Sequence, residues 1–245
     1  MSLPNEEVIA LLKDQFVVGF RNIEEDKHVG LSHGYKAGQT AVGTTNGAGG
    51  RNVQLVVMSP DQTVLHVLPG FWHPEDLVTE LKFATVLHRL WLDDGKTREE
   101  KLALFAAMHK AQVRRFSVDM IARSDWQDFD RVVEVMRARS EKRDTLLRDA
   151  AGDWLLDSHK QPRLKPTCQL LHERMAAQPF TKLGVFDMER YVDYGRPFYD
   201  NNAGIDKGKN FPAAAKSNAK RDKEKLEELK KKLAEEAKKA KGTQK

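Results

Sequence analysis

Cys168 and His172 are the pair in this chain whose types and spacing suit nucleophilic chemistry. They lie four residues apart, so on a helix they share a face. A thiol near a helix N-terminus beside an imidazole has a lowered pKa and gains nucleophilicity. Glu173 is adjacent, but no third residue is evident that would orient the imidazole. The ordinary reading, which carries more weight, makes Cys168 a buried small hydrophobe and His172 a surface histidine. Catalysis or redox sensing by Cys168 and His172 is the sharper expectation. As the only cysteine, Cys168 cannot form an intrachain disulfide.

Other candidates are weaker. The run Gly43-Thr-Thr-Asn-Gly-Ala-Gly-Gly50 invites a phosphate-loop reading. No lysine and Ser/Thr follow at the P-loop spacing, and the next element reads as a strand instead of a helix. A flexible loop or turn is expected. His28 and His33 are five apart, without cysteines or carboxylates at ligand spacing, so neither metal nor cofactor is expected. Phe180, Phe186, Tyr191, Tyr194, Phe198 and Tyr199 crowd one late, turn-rich segment. Such a segment wraps back over a core, or docks on a protein partner through Phe180, Tyr191, Tyr194, Phe198 and Tyr199. The stretch Tyr194-Gly-Arg-Pro-Phe-Tyr-Asp200 looks like a motif of unassigned role.

The elements that must position these residues begin with a hairpin. Val53 to Ser59 is an apolar, β-branched run that fits a covered strand. Pro60-Asp61 suits a turn, and Thr63 to Leu68 is a second strand. Gly70 ends it, and Pro74 opens a helix with Glu75 and Asp76 in its first turn. Leu77, Leu81, Ala84, His88 and Trp91 give that helix one apolar stripe. Upstream, Asn5-Glu6-Glu7 caps a helix carrying Val8, Leu11 and Leu12, and Phe16 to Phe20 reads as a strand. Downstream, Thr97-Arg-Glu-Glu100 is a capping box before Leu102, Phe105, Ala106, His109 and Val113. Ser124-Asp-Trp-Gln127 reads as a second, opening a helix that runs to about Asp149 and stops at Gly152. Trp126 and Trp154 are expected in the core, residues 159 to 166 as a linker, and a short helix from Thr167 to about Ala177.

Part of this pattern resembles the later part of a thioredoxin-fold domain, over residues 6 to 91. Glu7 to Val18 resembles the end of that family's first helix and its second strand. Val53 to Gln62, Val64 to Gly70 and Pro74 to Phe83 resemble its terminal hairpin and final helix. The resemblance implies a thioredoxin-like α/β fold and, for the family, thiol–disulfide exchange at a Cys-x-x-Cys. That motif falls before a segment like Glu6-Glu7-Val8, and the position of the family's cis-proline is held by Val53. No catalytic residue therefore transfers. The family's first, central strand is also missing. Either the protein starts further upstream, or the Phe16 strand pairs directly with the Val53 strand, or another segment fills the gap.

Three parts are expected: a thioredoxin-like α/β domain at residues 1–92, a helical extension to 202, and a lysine-rich tail at 203–245. Residues 216–245 carry a net +6 of the chain's +5, leaving the remainder at −1. A nucleic-acid footprint is thus confined to the 216–245 tail, which reads as disordered or transiently helical. Hydrophobic residues make up 40% of the chain, yet no run approaches the roughly 20 apolar residues of a membrane span. No export signal pattern is visible, and no compartment follows. The leading functional expectation is a redox-inactive, protein-binding or scaffolding module. The alternatives are a thiol–disulfide oxidoreductase with an upstream redox motif, and a basic-tailed binder of nucleic acid or anionic surfaces.

Overall fold

The computed structural model describes residues 2–23, 44–50, 53–126, 128–141 and 143–192. All lie in the unit formed by Met1–Leu31 and Ala41–Asn201. The architecture is mixed: seven α-helices and one two-stranded antiparallel sheet among these residues.

Helix α1 (Glu6–Gln15) is capped by Asn5, whose side chain accepts from the Glu7 and Val8 amides. It buries Val8 and Leu11 against the long helix α2 (Pro74–Leu92). The strand expected at Phe16–Phe20 does not form. Residues 16–20 after α1 belong to neither strand, with Val17 and Phe20 wholly exposed. Neither strand of the sheet takes them up, so they do not pair with the Val53 strand.

Strands β1 (Gln54–Met58) and β2 (Val64–Pro69) pair as expected, from Gln54 opposite Pro69 to Met58 opposite Val64. The register slips between Val57 and Met58, which leaves Leu65 as an extra residue in β2 beside His66. Every residue of β2 is buried. Its second edge is met by the chain near Lys182, where the Val64 amide donates to the Thr181 carbonyl at 2.8 Å. Gly70 turns the chain into α2 at φ +77°. A Cβ there would lie 2.4 Å from the Ala48 carbonyl oxygen, so glycine is required.

Helix α3 (Arg98–Val113) starts at the Thr97–Glu100 capping box, with both reciprocal bonds present. A short helix α4 (Val118–Arg123), capped by Ser117, went unread in the sequence. Ser124 is the C-cap of α4 and does not cap α5 (Asp128–Glu141). Gln127 lies outside the described residues. The helix expected to reach Asp149 ends at Glu141. Residues 143–166 instead fold into an irregular ladder, with bridges Leu146–Leu164, Arg148–Trp154 and Leu156–Pro162. The expected linker at 159–166 is therefore its return arm. Trp126 is buried as expected, but Trp154 is 39% exposed.

Helix α6 (Thr167–Ala176) follows, packing on α3. A 3-10 turn and α7 (Met188–Val192) close the described chain. Phe180 packs between Trp91 and Phe105, with ring centroids at 4.9 and 4.6 Å. Phe186 stacks on Tyr191, whose hydroxyl donates to the Arg174 carbonyl. Residues 180–191 thus wrap over the core. Tyr194, Phe198, Tyr199 and the 203–245 tail lie outside the described residues. No helix here is long and apolar enough to cross a membrane.

Candidate functional site

His66 sits mid-strand in β2, flanked by Leu65 and Val67, where an apolar run buries both faces. Glu80 lies in the second turn of α2, three residues after Leu77 and one before Leu81, so the helix aims it into the core. His109 is in the last turns of α3, one turn after Phe105. His172 is mid-helix in α6, one turn after Cys168. All four side chains are fully buried. Four elements that pack for apolar reasons thus converge three imidazoles on one carboxylate.

One carboxylate oxygen is the hub. Glu80 Oε2 accepts from His66 Nε2 at 2.8 Å and from His172 Nε2 at 3.0 Å. The Nδ1 atoms of His172 and His109 share a hydrogen bond at 2.8 Å. Both Nε2–H groups donate to Glu80, and the proton between the two Nδ1 atoms comes from His109 when His172 is neutral and from His172 when it is charged. Phe83 makes edge contacts with His66 and His109, Phe105 packs on His109, and Phe116 meets His172 edge-on.

Burial drives the electrostatics. It lowers the His66 pKa, against the opposing pull of Glu80. It places His109 well below the usual histidine value, helped by the neighbouring His172 and His66. Burial pushes Glu80 upward, but the charge and hydrogen bonds of His172 and the bond from His66 outweigh it. The carboxyl ends below its ordinary range.

The network is not closed. Glu80 Oε1, His66 Nδ1 and His109 Nε2 are buried without a hydrogen-bond partner. An orphaned buried polar group costs about 1–3 kcal/mol. Three of them together rival a domain's net stability of about 5–15 kcal/mol. The neighbouring interior cavity, walled by Trp72, Thr167 and Tyr191 among others, includes none of the four side chains in its lining.

The sequence-derived pair behaves differently from expectation. Cys168 and His172 do share the inner face of α6, and both are fully buried. His172 is not a surface histidine. Its two nitrogens are engaged by Glu80 and His109. Burial pushes the Cys168 thiol up to about 11, against a hydrogen bond with Ser124. That is the opposite of the lowered pKa a nucleophile needs.

A second buried polar knot holds the glycine-rich loop. Asn46, fully buried, donates to Asp76 Oδ2 at 2.7 Å and to Ser124 Oγ at 3.1 Å. Its Oδ1 accepts from the His73 amide, and its carbonyl accepts from Thr167 Oγ1. Arg123 clamps Asp76 with two bonds at 2.8 and 2.6 Å. The described part of the loop is therefore a fixed turn tied to α2, α4 and α6.

His66, Glu80, His109 and Asn46 were not singled out as site residues from sequence. The available signal was polarity at the wrong place: a histidine inside an all-apolar strand and a glutamate inside an apolar helix stripe. No protein-family model, curated protein or solved structure matches this chain.

Proposed function

We propose that this chain is a thioredoxin-like protein that works as a protein-binding module and performs no thiol–disulfide exchange. The observation that carries this reading is the exposed apolar stretch after α1. Val17 and Phe20 are wholly exposed and Val18 is 65% exposed, within a run of strand-forming residues. An exposed run of strand-forming residues of this kind offers a template for strand addition by another chain. The order of α1, the β1–β2 hairpin and the covering helix α2 supports the thioredoxin-like part. The buried, high-pKa thiol of Cys168 supports the absence of redox chemistry.

Two measurements test it. Insulin reduction by the chain is expected at background, equal to that of Cys168→Ser; reduction lost in that variant overturns redox inactivity. Selection from a displayed peptide library is expected to return extended, alternating apolar peptides. Their binding should vanish in the double variant Val17→Lys/Phe20→Lys. Peptides that bind both forms equally, or no peptides at all, overturn the docking role.

A further inference from the structure

We propose that His66, Glu80 and His172 form a buried site for one divalent transition-metal ion of the zinc class. This inference stands apart from the binding-module reading and on different residues. One ligand atom from each of His66, His172 and Glu80 lies within 4.8 Å of the others, and the Nε2 atoms are the ones facing the carboxylate. Two imidazole nitrogens and one carboxylate suit a borderline ion such as Zn2+, whereas Ca2+ and Mg2+ take oxygen ligands.

The two imidazole–carboxylate spacings are close to what coordination requires. Bonds of about 2.0–2.1 Å in a tetrahedron set ligand atoms about 3.3–3.4 Å apart. Here each Nε2 stands 2.8 or 3.0 Å from Glu80 Oε2. The set spans up to 4.8 Å, so admitting the ion requires the two imidazoles to draw together by about 1–1.5 Å as it binds. Coordination requires both Nε2 atoms to release their protons and present lone pairs. His172 then holds its proton on Nδ1 and donates it to His109 Nδ1, the atom already at hydrogen-bond distance, while the protons of His109 and His66 sit on Nε2 and Nδ1 respectively. His109 is thereby a positioning residue, the outer-shell partner that fixes the ring of a metal-bound histidine. Glu80 Oε1, which has no hydrogen-bond partner, supplies a further ligand oxygen from the same carboxylate.

The site is fully buried and ringed by Phe83, Phe105 and Phe116, so the ion's role is structural: it ties β2, α2 and α6 together. Burial also means that metal enters as the chain folds.

The full chain is unfolded in denaturant with chelator, then refolded alone, with Zn2+ or with Co2+. One equivalent is expected to survive desalting. Co2+ should give the visible d–d bands of a four-coordinate site, and Zn2+ should bleach them. Zn2+ should raise Tm by about 5–10 °C. His172→Gln and Glu80→Gln are expected to lose retention. His109→Gln should weaken affinity about 10–100-fold, and His88→Gln, outside the cluster, should leave it unchanged. If the wild-type chain refolds without retaining metal, or if retention survives in His172→Gln or Glu80→Gln, the site does not exist. Should those two variants fail to fold, the wild-type stoichiometry, the Co2+ bands and the His109→Gln affinity decide. Unchanged affinity in His109→Gln then overturns the assignment.

Discussion

Cys168 and His172 stand one turn apart on α6 and are drawn into different networks. The thiol goes to Ser124 and the imidazole to Glu80 and His109. The consequence for Cys168 is an alkaline liability. Its thiol titrates near 11 in the fold against an ordinary 9.0, so the unfolded chain ionises first. Below about pH 9 both states are protonated and stability is unaffected. As pH rises from 9 to 11, stability falls by roughly 1.4 kcal/mol per pH unit, or on the order of 2–3 kcal/mol in all. Denaturant titrations of the wild type and Cys168→Ala across that range test this. The difference between the two should shrink by that amount as pH rises. A constant difference removes the claim.

At the level of elements, Gly70 is the tightest point. It lies against Gly47 and Ala48 of the glycine-rich loop in a left-handed conformation. Gly70→Ala adds both a backbone clash and a strained φ, and is expected to cost at least about 2 kcal/mol, read as a fall in the denaturation midpoint. Helices with a local start signal were legible in the sequence: Asn5 before α1, Pro74 in α2, Thr97 and Glu100 at α3, and Thr167 at α6. The hairpin was legible because its two apolar runs flank a short turn. Ser124 shows where local reading fails. Its side chain fits a capping box, yet Asn46 and Cys168 claim it from positions far away in the chain. The segment after α5 fails for a similar reason. Arg143 and Thr145 turn back to the buried carboxylate of Glu134, at 2.7 and 2.9 Å, and end the helix that their neighbours favour. The histidine cluster was invisible for the same cause, since its members come from four elements and share no spacing.

Across the whole molecule, the late segments complete what the early ones begin. Helix α6 covers β2 and α3, its Thr167 locks Asn46, and Lys182 pairs with Asp61. A chain truncated after Pro166 is expected to lose cooperative unfolding and to bind a hydrophobic dye strongly. Retention of a sharp thermal transition in that truncation contradicts this. The span between Glu80 and His172 is 92 residues. At about 5–20 residues per second, a ribosome needs about 5–18 s to cross it. During that interval His66 and Glu80 have emerged without their lid, and the apolar faces of β2 and α2 are open to chaperones. A metal ion captured in that window would meet its first two ligands before the third has been synthesised. The supply of metal during translation, more than its affinity for the finished fold, then decides how much of the protein is loaded.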